Sequence, residues 1–236
     1  MSNLFSSFDP TVSIMGMDLM LNWSSAIIGV IILPQGFWLV DSQPLKSVKL
    51  MMSFLSEELG AVLGAHSIPG CIFMYVSLFF FIFFSNFMGL MPYIFTCTSH
   101  LSMTLTLSLP LWLGSMLMSI LLQYNSLMAH LVPSGTPGFL MPIMVIIETV
   151  SNIIRPATLA IRLAANMVAG HLLLTLLGSQ GPNLAFVGLI GLVIALILLL
   201  LLEVAVACIQ SYVFTILSSL YLGELTTPGF TLKMTK

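Results

Sequence analysis

Charge is what this sequence has least of. Among its 236 residues only six are Lys or Arg and eight Asp or Glu, 6% in all, against roughly 25% in soluble globular domains. From Leu59 to Ile147 there is no Asp, Glu, Lys or Arg, only His66, His100 and His130, which excludes a soluble domain of ordinary size from that stretch. The net charge of −2 is spread thinly and leaves no basic footprint, so no nucleic-acid partner is expected. Cysteine is as sparse. Cys71, Cys97 and Cys208 stand alone, without metal-ligand spacing and in or beside apolar runs; small buried hydrophobes are the expected reading, with no metal and no cofactor. Residues 1–9 contain no Lys or Arg, which excludes the pattern of a signal or transit peptide, and the chain is expected to reach its membrane without a cleaved presequence.

What is there instead is hydrocarbon. The sequence is 58% hydrophobic with a mean hydropathy of +1.12, the composition of an all-α polytopic membrane protein. Seventeen Met residues suit synthesis inside an organelle with biased codon usage, and equally suit lipid-facing helix surfaces.

About five membrane helices and one interfacial amphipathic helix are expected, within a single membrane domain covering 1–236. A first span covers 19–40, with Pro34 inside it. Over 44–63, Leu45, Val48, Met52, Leu55, Leu59 and Val62 recur every three or four residues while Lys46, Lys49, Ser53, Ser56 and Glu57 fall elsewhere. That pattern predicts a helix lying on the surface, with its apolar stripe toward the membrane. Spans over 71–91 and 101–122 follow, joined by a tight turn over 92–100, and the Phe-rich run 79–84 reads as lipid or packing surface. Pro133, Gly135, Pro137 and Gly138 mark a loop. The segments 140–177 and 184–222 would each run to roughly 57 Å as single helices, against about 30 Å of hydrocarbon. Each is therefore two spans with a hidden turn or one strongly tilted helix. Pro156 is the only breaker well inside the first, and no strong turn signal interrupts the second from Leu184 to Tyr221, which favours a hairpin of two long tilted helices.

Within this apolar frame the polar residues are conspicuous. Arg162 is the only Lys, Arg, Asp or Glu between Pro156 and Leu202. A guanidinium stays protonated, and placing one in hydrocarbon costs from about 3 to more than 10 kcal/mol. It therefore requires a carboxylate, a water-filled cavity or both, and marks an ion or proton pathway through which it cannot itself release a proton. Glu148, Arg155 and Arg162 lie seven residues apart, which rotates each by only about 20° from the last, so they share a helix face. Asn152 and Asn166 each follow a member of that row by four. Ala157, Ala160, Ala164, Ala165, Ala169 and Gly170 surround Arg162 and would admit another helix closely. His171 points away from that row. Glu203 and Gln210, seven apart, share a face of the second long helix, and a carboxylate and a His on paired membrane helices can form a proton relay. Structural roles compete with these: an ion pair between Glu148 and Arg155, a salt bridge between Arg162 and Glu203, and Gln210 as interhelical glue. His66, His100 and His130 sit near helix ends or loops, where solvated or capping roles are expected.

The run Ile161-Arg162-Leu163-Ala164-Ala165-Asn166-Met167-Val168-Ala169-Gly170-His171 resembles the signature of the ATP synthase subunit a family in its mitochondrial form. Glu148-Thr149-Val150-Ser151 with Arg155-Pro156 upstream, Glu203 to Phe214 downstream and the opening Asn3 to Pro10 extend the likeness over nearly the whole chain. Bacterial members carry an acid where His171 stands and a His where Glu203 stands, so this chain has the mitochondrial arrangement. The tail after Glu224 departs from the pattern.

The resemblance implies a non-catalytic proton-channel stator subunit in the mitochondrial inner membrane. Its partners would be a rotating ring of c subunits, the peripheral stalk and other membrane subunits of the synthase, with protons as cargo and lipid around it. Arg162 would face the ring and separate two offset half-channels. His171 and Glu203 would belong to the half-channel on the intermembrane-space side and Glu148 to the matrix side, while Asn166 and Gln210 help place Arg162. Independently, four spans separate Lys46 and Lys49 from Lys233 and Lys236, which puts both groups on one face, the matrix by the positive-inside tendency. A proton-coupled secondary transporter with Arg162 on an anionic substrate, and a non-conducting scaffold, are the readings from other classes; no internal repeat of the transporter kind is visible.

Overall fold

The first regular element among the described residues is not a membrane helix. Val12–Ile14 (β1) and Met17–Leu19 (β2) pair antiparallel, Val12 opposite Leu19 and Ser13 opposite Asp18, ahead of a 3₁₀ turn over Leu21–Trp23 and a helix over Ser24–Ile31 (α1). These coordinates are a computed structural model that describes residues 8–14, 17–31, 34, 40–64, 70–130 and 138–225. The helix thus begins five residues beyond the start expected for the first span, because Asp18 and Asn22 place that start in polar sequence; residues 32–33 and 35–39 of the same span lie outside the described residues, as do His66, Pro133, Gly135, Pro137 and the tail with Lys233 and Lys236. Before β1, the Thr11 N–H and hydroxyl donate to Asp9 at 3.1 and 2.8 Å, the backbone bond first in effect, and hold the carboxyl below its ordinary range.

Gln43–Leu63 is a single helix (α2), opened by Pro44 in its first turn and closed at Gly64, whose φ of 67° suits glycine. Its charged face is as expected, with Lys49 bridging Asp41 at 2.7 Å. The apolar stripe is used differently. Leu55, Leu59 and Leu63 are buried against Tyr75, Phe79 and Leu222, so much of what was expected to face the membrane faces neighbouring helices, and Met52 remains 39% exposed. A stripe wide enough to meet lipid is also wide enough to be claimed by helices carrying complementary Phe and Leu.

Cys71–Gly89 (α3) and Leu101–His130 (α4) form the expected pair of spans. The turn between them is tight enough that a Cβ on Gly89 would stand 2.7 Å from Thr96 Cγ2. Phe79 and Phe80 are both 3% exposed, which makes that part of the Phe run packing surface. α4 continues eight residues past the expected end at 122, since no Gly or Pro stands between 122 and His130.

The last two elements are Met141–Ser179 (α5, 39 residues) and Phe186–Leu225 (α6, 40 residues), joined through a 3₁₀ turn over Gly181–Asn183. Neither contains a hidden turn. Pro156 removes one N–H from α5 without ending it. At about 1.5 Å per residue both are near 60 Å long, so they fit a 30 Å slab only if inclined or projecting. Among the described residues, α3, α4, α5 and α6 are long and apolar enough to cross a membrane, and α1 is a shorter apolar helix. The second core, Ile82, Leu159, Leu163 and Phe214, lies where α3, α5 and α6 meet.

Candidate functional site

The seven-residue row on α5 divides by environment. Glu148 and Arg155 are half-buried, with a guanidinium nitrogen 4.0 Å from the carboxylate, and Arg155 Cζ stands 5.1 Å from the centroid of Tyr221 on α6. Arg162 is exposed, beside exposed Ile161, Ala165 and Ala169, and among the described residues it has no hydrogen bond or ion pair. The salt bridge between Arg162 and Glu203 that the sequence left open is absent among those residues. The small residues around Arg162 split in two: Ala160 and Ala164 are buried against the protein's own helices, whereas Ala165 and Ala169 stay open beside the guanidinium, leaving room for a further helix to come close.

His171 and Glu203 are brought together. His171 Nε2 lies 3.9 Å from Glu203 Oε1, with Glu203 only 4% exposed. Neither carboxyl oxygen nor His171 Nε2 has a hydrogen-bond partner among the described residues. A carboxyl buried in that way demands water, a proton or a charged imidazole beside it. The space it fills is left by Gly170, where an added Cβ would collide with the Glu203 carboxyl. The Phe8 ring meets His171 edge-on at 6.4 Å. His100, expected only to cap or be solvated, uses Nε2–H to donate to the Phe8 carbonyl at 3.0 Å and packs beside Trp23 and Phe95.

Asn166 and Gln210 are paired with each other. Asn166 Nδ2 donates to Gln210 Oε1 at 3.0 Å, tying α5 to α6 one turn beyond Arg162, while Gln210 Nε2 is buried without a partner. The interhelical link and a polar pathway are therefore compatible uses of one residue.

Three further buried polar side chains without a partner among the described residues, Asn86, Thr98 and Ser108, lie outside the sequence-derived set. Asn86 is 0% exposed with both amide atoms unpartnered, and Thr98, in the α3–α4 turn, has an unpartnered Oγ1. Tyr75 bonds the Ser218 carbonyl and Ile82 packs on Phe214, so α3 and α6 run antiparallel. Asn86, a turn past Ile82, then lies level with Gln210, a turn before Phe214. An amide inside the Phe-rich span 71–91 was itself a signal, because a polar side chain at membrane depth seeks water or a partner. Among the described residues no group of three or more His, Cys, Asp and Glu is placed to hold a metal.

The family model described as ATP synthase A chain matches residues 19–223. The chain is 50% identical over 224 residues to ATP synthase subunit a of Locusta migratoria and 51% identical over 224 residues to that of Drosophila melanogaster, in each case across 95% of this chain and 99% of the relative. Against ATP synthase subunit a of Aedes albopictus the identity is 52% over 225 residues, with the same coverage. With signature, helices and relatives in agreement, the chain belongs to the ATP synthase A chain family.

Proposed function

We propose that this chain is the stator subunit of the membrane sector of a mitochondrial ATP synthase, and that it loads and unloads carboxyl groups on a rotating ring of c subunits through two offset half-channels. The observation that carries this reading is Arg162: a permanent cation, exposed and unpaired among the described residues, on a helix long enough to cross the membrane. Lipid cannot cover such a group cheaply. A partner bearing a carboxylate can, and the open flank at Ala165 and Ala169 admits it.

The chemistry follows from where charge is tolerated. A ring carboxyl carried into lipid must be protonated, and beside Arg162 its ionised form is favoured. Protons reach it by way of His171 and Glu203 from the intermembrane space, with Asn86 and Gln210 as wetted neighbours. They leave on the matrix side past Glu148, whose charge Arg155 balances. Arg162 attracts each deprotonated ring carboxylate and bars direct passage between the two channels, so the order of loading and unloading sets the direction of rotation. Each proton contributes about 2.3 kcal/mol per 100 mV, so several must pass for each ATP made elsewhere in the complex.

The side assignment has structural support. Gly223, near the end of α6, lies against the backbone of Val62 in α2, and Tyr212 donates to Glu58 at 2.8 Å, so α2 and the end of α6 share one side of the molecule. With Lys46 and Lys49 on α2, that side is taken as the matrix. Arg162→Ala in an assembled complex should abolish proton-driven ATP synthesis; synthesis at the native rate would remove Arg162 from its role.

A further inference from the structure

We propose that one ordered water occupies a small cavity where α4, α5 and α6 meet, accepting a hydrogen bond from Ser108 and donating to Ser115 and Ser218. The cavity has a volume of about 20 Å³, with Ser108, Ser115, Ser218, Leu159 and Pro156 among its walls. A site needs roughly 10–15 Å³ of such volume for one water. This one holds a single molecule and has no room for a chain of them.

Ser108 is the reason the site is wet. It is 2% exposed, and its hydroxyl has no partner among the described residues. Neighbouring hydroxyls on the same two helices behave otherwise: Ser115 donates to the Trp112 carbonyl, Ser119 to Ser115, Ser218 to Thr215 and Ser219 to Ile216, all between 2.8 and 3.0 Å. Ser108 alone of these has kept its proton free. Ser115 and Ser218 have already spent theirs and retain acceptor lone pairs. A water that takes one bond and gives two matches that inventory, and about three bonds is the usual number for a buried water. A cation does not match it, because no carboxylate lines the cavity and a bare charge there would be unbalanced.

The water joins α4 to α6 across the proline of α5. Pro156 has no N–H, so the Asn152 carbonyl one turn back on the same face loses its helical donor and α5 is weakest there. The water is a strut for that weak point, separate from proton transport and independent of how Arg162 works. The test is a map of the assembled complex at a resolution that shows ordered waters, for the native chain and for Ser108→Ala, with ATP-driven pumping measured on both. One peak within hydrogen-bond distance of Ser108 Oγ and of Ser115 or Ser218 Oγ is expected, lost in Ser108→Ala with pumping retained. An empty native cavity, a Ser108 hydroxyl seated on the Thr104 carbonyl, or a peak that persists in Ser108→Ala would overturn the proposal. So would loss of pumping by a normally assembled Ser108→Ala complex. The native map decides the matter even if the variant does not assemble.

Discussion

Glu203 and Gly170 form a steric pair that decides how the buried carboxyl is held. Gly170→Ala would drive its Cβ into that carboxyl, and overpacking of this kind costs about 1–3 kcal/mol. Expressed on the barrier to proton uptake, it should lower proton flux on the order of tenfold, measured in vesicles at equal assembly; unchanged flux would mean that Glu203 is free to move aside. Glu203→Gln keeps the shape and removes the exchangeable proton, so it should slow uptake while leaving assembly intact, and native flux would take Glu203 off the path. Arg162, His171, Glu203 and Glu148 stood out in the sequence as candidates because an ionisable group in a membrane-length apolar run has few explanations. Gly170 was visible only as one small residue among several. Its contact with Glu203 depends on the rotational setting of α5 against α6, which periodicity within one helix does not contain. Asn86 was visible as an amide in an apolar span, but its level with Gln210 was not, since that arises from how α3 packs on α6.

Among the elements, α5 and α6 owe their length to the absence of stops, and their mutual position to contacts that span the bundle. Phe214 is 0% exposed and touches the core shared by α3 and α5. Phe214→Ala should destabilise the helix assembly by about 3–5 kcal/mol and lower the temperature at which the subunit leaves the solubilised complex; an unshifted temperature would show that the bundle is held from outside. The Asn166–Gln210 bond is a smaller tie. Interhelical hydrogen bonds in membranes average about 0.6 kcal/mol, and a double-mutant cycle on these two residues should return a coupling of that order, with zero coupling contradicting the bond. The helix over 43–63 was legible from its period, but the destination of its stripe was not. Leu55 and Leu59 look the same in sequence whether they meet lipid or Phe79.

Across the whole molecule, α5 and α6 present a long apolar surface with one fixed positive charge, Arg162, exposed in it. In the proposed role, that charge is met by a partner that neutralises it and remains free to move. ATP-driven proton pumping by the assembled complex, native against Arg162→Gln at equal assembly, tests this most directly. Loss of pumping with the complex intact is the predicted result. Pumping at the native rate would contradict the account, and would reduce Arg162 to a structural cation on the surface of the bundle.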